Sequence, residues 1–375
     1  LLDIFTAGGE TALKIEEIQL TDNREVRLTA FIQKIDEDKG ERITSFSQET
    51  EGLPDKHPAV IIIPGGGYSR LSERESDPIA LKFAGMGYQA FILRYTVSET
   101  DKEHIWPHPI EEYDKAVEII QSKADEWGVD TDRIAVCGFS AGGHLAACAA
   151  TIADHRPAAV ILGYPALLGD VCDACAPGLP HPIEEVDDQT PPCFIFMARD
   201  DMLVSVKNAT AFADALTDHG INYEMHIYSQ GGHGFTTALD YLNGNKISSR
   251  ARNWIEDAGE FLEEVWGHFN VNGFTKPAIN RTINGDYENH FSVDCTIANL
   301  ENQGPAITGL LKNYLAETDQ LIEEKGFDGA PAQFIKHIYS FRTVLNMLSV
   351  PAEKISELNN RLSEIDPKNE LHNVI

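Results

Sequence analysis

Ser140 stands in Gly138-Phe139-Ser140-Ala141-Gly142, a G-x-S-x-G stretch that begins where the apolar run 134–137 stops. A serine hydroxyl is a weak nucleophile until a base takes its proton. Attack on a carbonyl through a covalent acyl-serine therefore calls for an imidazole, and for an acid to orient it. Downstream come Asp200-Asp201 and then Gly231-Gly232-His233-Gly234, which gives the chain order Ser, Asp, His. Upstream, Pro64-Gly65-Gly66-Gly67-Tyr68 follows the apolar run 60–63. Glycines at 138 and 142 let the backbone reverse over Ser140 and aim the next helix N-terminus at it, so the Ala141 amide is the first candidate to meet charge on a carbonyl oxygen. His144, one turn further, is expected to fix the turn by packing or hydrogen bonding. G-x-S-x-G alone is a weak signal, and its agreement with the other stretches carries the reading.

Such residues need a scaffold that presents them together. Apolar runs at 59–63, 89–93, 133–137, 158–163, 193–197 and 223–228 read as strands. Helically spaced apolar residues fall between them, at 79–84, 113–120, 145–152 and 208–216. Strands alternating with helices predict an α/β fold with a mostly parallel, doubly wound sheet, whose ligands gather beyond the carboxyl ends of the strands. Each site residue named above lies just past such an end. Looser alternation over 15–35, around Thr21-Asp22-Asn23-Arg24, predicts two antiparallel leading strands, and 36–57 reads as a polar connection. An amphipathic helix over 250–269 closes this part, with Trp254 and Trp266 as packing residues. After it the character changes: 270–303 is rich in Asn, Thr and Gly, and 306–322, 331–348 and 351–365 read as three helices. The expected division is an α/β domain over 1–269 and a linker with a C-terminal helical extension over 270–375. A bundle, a lid and a dimerisation element are the candidate roles of the extension.

The phrases Pro-Gly-Gly-Gly-Tyr-Ser (64–69), Arg-Tyr (94–95), Gly-Phe-Ser-Ala-Gly-Gly-His (138–144) and Gly-Gly-His-Gly (231–234) resemble the α/β-hydrolase superfamily over about 58–267. More narrowly, they resemble its acetyl-esterase and feruloyl-esterase-like branch, which includes acetyl xylan esterase-like proteins. The resemblance implies a serine carboxylic ester hydrolase that removes short acyl groups, chiefly acetyl, from sugar or xylo-oligosaccharide esters, with Ser140, His233 and an aspartate as catalytic residues. In that family the acid commonly precedes an apolar residue by three positions and proline by four. Asp201 fits through Val204, although Ser205 replaces the proline, so Asp201 is the expected acid and Asp200 the alternative. Proline replaces the histidine of the family's usual His-Gly-Gly-Gly phrase. Gly66 is the expected oxyanion donor beside Ala141, with Gly65, Gly67 and Tyr68 shaping the loop or the pocket. The resemblance also brings the loop of His104 and His108 towards the site. Two other readings stand beside it: a peptidase or amidase of the same fold, and a non-catalytic hydrolase-fold protein whose C-terminal helices bind a partner.

Composition narrows the partners. With 59 acidic against 30 basic residues, the formal net charge of -29 disfavours nucleic acid and anionic membranes. No run approaches the roughly 18 apolar residues of a membrane helix, and the start lacks a basic segment followed by an apolar core. A cytoplasmic location is expected, although the initial Leu1 leaves a removed signal segment open. Six cysteines are too few and too irregular for a disulfide scaffold, and Cys172-x-x-Cys175 has no second pair at ligand spacing. The glycines of 65–67 lack both a following Gly-Lys-Ser/Thr and G-x-G-x-x-G spacing, so neither cofactor nor metal is expected. The expected partner is a small-molecule or oligosaccharide ester, with homo-oligomerisation left open.

Overall fold

A computed structural model describes residues 4–5, 11–21, 26–33, 56–98, 105–243, 249–270, 273–279, 281 and 291–365. Most of the expected polar connection 36–57, and residues 22–25 of the leading turn, lie outside the described residues. Contacts divide the chain into two units, Leu1–Ala215 with Tyr223–Arg281, and Leu216–Asn222 with Thr282–Ile375.

The first unit is built on a nine-stranded sheet. Its strands in chain order are β1 (Ile4–Phe5), β2 (Thr11–Gln19), β3 (Arg27–Gln33), β4 (His57–Ile63), β5 (Gln89–Arg94), β6 (Val129–Phe139), β7 (Ala159–Gly163), β8 (Cys193–Ala198) and β9 (Tyr223–Tyr228). They lie side by side as β1-β2-β3-β5-β4-β6-β7-β8-β9. β1, β2, β3 and β5 pair antiparallel in turn, β2 and β3 being the two leading strands that the alternation over 15–35 predicts, whereas every pair from β5 to β9 is parallel. All seven residues of β4 are buried, which is why this strand reads as one apolar run and not as an alternation. From β4 the chain winds outward to β5, then crosses back to β6 on the other side of β4. The winding reverses there, and the loops that leave β4 and β6 open the crevice in which ligands of such sheets bind.

Helices cover the crossovers: α1 (Asp77–Gly85), α2 (His108–Ser122), α3 (Ala124–Trp127), α4 (Ala141–Thr151), α5 (Gly169–Cys175), α6 (Lys207–Asp218), α7 (Asp240–Asn243) and α8 (Trp254–Trp266). Every residue of α4 is buried, and its small side chains let the helix lie against the sheet at close range. A Cβ on Gly138 would come within 2.2 Å of the Gly142 carbonyl oxygen, and one on Gly142 within 2.1 Å of that of Ile63. The indole of Trp254, at the start of α8, stacks on Phe196 of β8 with ring centroids 4.1 Å apart. It also donates a 2.7 Å hydrogen bond to the Thr236 carbonyl, which anchors the loop that follows His233. Trp254 and Trp266 are both buried, the packing role expected of them. A short hairpin, β10 (Phe269–Asn270) with β11 (Gly273–Phe274), follows α8 within the stretch expected as linker.

The second unit holds α9 (Ile297–Glu301), α10 (Pro305–Glu324), α11 (Gly329–Ile338), α12 (Phe341–Met347) and α13 (Ala352–Ser363) around a core that includes Val293, Ile297, Leu311, Phe341, Leu345 and Leu362. The single helix expected over 331–348 is two. Ser340 takes an extended conformation and its hydroxyl accepts from the Thr343 amide, so it caps a new helix instead of continuing the old one. No helix among the described residues is long and apolar enough to cross a membrane.

Close packing of α4 gives a direct test. Gly142→Ala forces a Cβ into backbone and is expected to cost at least about 2 kcal/mol in denaturant unfolding, or to prevent folding. Gly309→Ala, in α10 with open space around the new Cβ, is expected to hold or raise stability, by up to about 1 kcal/mol. Equal effects of the two changes would contradict this packing.

Candidate active site

β6 runs in register with β7 up to Phe139 beside Gly163, and then turns abruptly. Ser140 adopts φ 53 and ψ -117, a strained conformation for a residue with a side chain, with a cost of roughly 1–3 kcal/mol that the surroundings must offset. Its amide donates to Gly163 O at 2.9 Å, and its carbonyl accepts from the amides of His144 and Ala166 at 3.0 and 3.2 Å. These bonds hold the turn while the hydroxyl stays outside the backbone ladder. Gly65 makes the approach possible from the other side, since a Cβ there would lie 2.9 Å from Ser140 Cβ.

The ends of β8 and β9 supply the partners. His233 Nε2 lies 2.9 Å from Ser140 Oγ, and its Nδ1 lies 2.7 Å from Asp201 Oδ2. The Asp201 side chain is fully buried, and its other oxygen accepts from the amides of Leu203 and Val204, both at 2.9 Å. A carboxylate only accepts, so Nδ1 carries the proton and Nε2 turns its lone pair to the serine. Asp200, which the sequence leaves as a chemical equal, does something else. Its Oδ1 accepts from the amides of Gly231 and Gly232, both at 2.9 Å, and so pins the loop that delivers His233. The Tyr164 ring meets the imidazole edge-on, with centroids 5.2 Å apart.

The glycine loop divides its labour in a way its sequence does not show. The Gly65 amide donates to Glu75 Oε2 at 2.9 Å and is therefore committed. Among the described residues, the amides of Gly66 and Ala141 have no protein acceptor. Gly66 has φ 133, and a Cβ on it would come within 2.0 Å of the Arg70 carbonyl oxygen; Gly67 has φ 63. Tyr68 is wholly buried and lines no part of the cleft. Its hydroxyl donates to His144 Nδ1 at 2.8 Å, while His144 Nε2 donates to Pro180 O at 2.9 Å, so this pair ties the glycine loop to α4 from beneath.

Over these residues lies a cleft of about 850 Å³, whose walls include Gly66, Arg70, Ser140, Asp170, Leu203 and His233. Sequence reasoning missed Glu75 and Tyr164. Glu75 sits in Ser72-Glu73-Arg74-Glu75-Ser76, a charged stretch with no mark that separates its buried acid from the exposed Glu73 two positions earlier. His108 opens α2, with Nδ1 3.5 Å from Glu111, and is not part of the cleft wall; His104 lies outside the described residues. The described residues contain no group of three or more His, Cys, Asp or Glu that could hold a metal ion.

With this geometry in hand, comparisons place the chain. Residues 49–164 match the BD-FAE family, and residues 180–265 the prolyl oligopeptidase family. MGS-M1, an alpha/beta hydrolase enzyme from a Medee basin deep-sea metagenome library, is 33% identical with a TM-score of 0.58, over 68% of this chain and 98% of that one. The chain belongs to the α/β-hydrolase family, and within it is related to the BD-FAE and acetylxylan-esterase-like branches. Among curated proteins it is 31% identical over 212 residues to Endo-1,4-beta-xylanase B of Butyrivibrio fibrisolvens, across 49% of this chain and 33% of that protein. It is 28% identical over 222 residues to an acetylxylan esterase of Xylanibacter ruminicola, across 53% and 45%. The matches thus span under half the length of either relative.

The buried His144 makes stability depend on pH. Burial lowers its pKa from 6.5 to about 4. The fold therefore favours the neutral ring, whereas the unfolded chain takes up the proton near 6.5. The stability gained is complete above that value and is lost as pH falls from 6.5 towards 4. Between pH 7 and pH 5 the loss from this group is about 2 kcal/mol. Denaturant unfolding at the two pH values is expected to show a smaller loss in His144→Gln than in the wild type, and equal losses would contradict the assignment.

Proposed function

We propose that the chain is a serine carboxylic ester hydrolase that removes short acyl groups, acetyl foremost, from sugar or xylo-oligosaccharide esters. The observation that carries this reading is the hydrogen-bonded series Asp201–His233–Ser140, with Ser140 and His233 in the wall of a cleft that Gly66 also lines. In this reading Ser140 Oγ attacks the ester carbonyl while His233 Nε2 takes its proton. Asp201 keeps the imidazole in the reactive tautomer and offsets its new positive charge. The Gly66 and Ala141 amides receive the oxyanion, each such donor being worth about 3 kcal/mol in the transition state. His233 then returns the proton to the departing alcohol, and water releases the acyl group by the same steps in reverse.

The sugar alcohol finds support in the names of the acetylxylan esterase and xylanase relatives, and in a cleft wall that offers Ser69, Arg70, Ser72 and Glu73 as hydroxyl partners. A second reading has its own observation. The match over 180–265 to the prolyl oligopeptidase family covers the stretch that carries Asp201 and His233, and the same three side chains would serve an amide.

The test compares aryl acetates, butyrates and acetylated xylo-oligosaccharides with the corresponding anilides. Acetyl esters are expected to be hydrolysed fastest; a preference for anilides would favour the second reading. Ser140→Ala is expected to lower kcat by at least about 10⁴-fold, and Asp201→Asn by about 10³-fold or more. Asp200→Asn, which leaves the imidazole's own partner in place, is expected to cost less than about 10-fold. Undiminished turnover by the Ser140 variant, or a larger loss from Asp200 than from Asp201, would overturn these roles.

A further inference from the structure

We infer that Glu75 is a positioning residue that couples the glycine loop after β4 to the loop that carries His233. The kinetic part of this inference rests on the esterase reading above; the structural coupling does not.

Glu73 and Glu75 differ by two positions and by everything around them. Glu73 is exposed and pairs with Arg94 through two 2.9 Å bonds. Glu75 is 3% exposed and uses both oxygens inside the protein. Oε2 accepts the Gly65 amide at 2.9 Å, and Oε1 accepts the Tyr164 hydroxyl at 2.7 Å. Acceptance at both oxygens is the pattern of a carboxylate anion. Tyr164 O in turn accepts the Thr236 amide at 3.3 Å, which leaves its own hydrogen for Glu75. The same ring packs edge-on against His233. One carboxylate therefore joins three strand-end loops, those that follow β4, β7 and β9.

Its position relates it to the chemistry as well as to the scaffold. A Cβ on Gly65 would lie 2.9 Å from Ser140 Cβ and 3.0 Å from Glu75 Oε2, and one on Gly234 would lie 3.9 Å from Glu75 Oε1. The anion is thus one glycine from the serine and one tyrosine ring from the imidazole. The groups that face His233 are Ser140, Asp201 and Tyr164, with Arg74 Nη2 3.5 Å from the Gly234 Cβ position and Asp200 on the amides of Gly231 and Gly232.

The test uses the full chain with labelled histidine, as wild type, Glu75→Gln and Tyr164→Phe. The His233 Nδ1 proton, which is bonded to Asp201, is followed by NMR, and kcat and KM are measured on an aryl acetate. Glu75→Gln is expected to shift or broaden that proton resonance and to lower kcat by about 10- to 100-fold, with KM changed less than about 3-fold. Tyr164→Phe breaks the link to the His233 loop, so the same resonance is expected to move and kcat to fall about 10-fold. An unmoved resonance and an unchanged kcat in folded Glu75→Gln overturn the coupling. If Glu75→Gln does not fold, Tyr164→Phe decides, and an unchanged kcat there overturns the coupling. A wild type that hydrolyses no ester while the variants still move the resonance would sink the esterase reading and leave the coupling standing.

Discussion

The arrangement depends on the 2.7 Å bond between His233 Nδ1 and Asp201 Oδ2. Without it either ring nitrogen could carry the proton, and the nitrogen that faces Ser140 could be a donor instead of an acceptor. The bond exists because Asp201 is buried with two backbone amides on its other oxygen, so its direction is set before the imidazole arrives. Its neighbour Asp200 sets where the imidazole arrives from, by holding Gly231 and Gly232. Two adjacent acids thus fix one histidine, one through its ring and one through its loop.

The serine side is a matter of space. A strand that must end, reverse and start a helix over one residue leaves little volume, and this chain meets the constraint with side chains it does not have. Gly65, Gly138 and Gly142 each sit where a methyl group would collide with backbone. The strain at Ser140 is offset by the ladder to β7 and by the burial of α4, so the tension in the turn is borne by the core and not by the site. The His144–Tyr68 pair extends the same support beneath the glycine loop, at the cost of a stability that falls with acid.

How much of this was legible follows from which interactions are local. The parallel strands announce themselves because burial on both faces leaves uninterrupted apolar runs, and β4, β7 and β8 are fully buried. Ser140 and His233 were visible through the glycines around them, since those glycines answer to local backbone geometry. Asp200 and Asp201 were equal in local terms, and only the resemblance to a family separated them before their hydrogen bonds did. Glu75 and Tyr164 were not legible at all. Their partners lie 10 and 89 residues away for the one carboxylate, and no short-range pattern encodes a bond of that span. The break between α11 and α12 was missed because the apolar spacing continues across it, whereas Ser340 acts as a cap.

The most direct measurement is covalent. An aryl phosphonate ester mimics the tetrahedral adduct and reacts with a serine only where a base and an oxyanion site act together. Intact-mass analysis followed by peptide mapping is predicted to find one phosphonyl group per chain, on Ser140. No label under conditions that saturate known serine esterases, or a label on a different residue, would contradict the account.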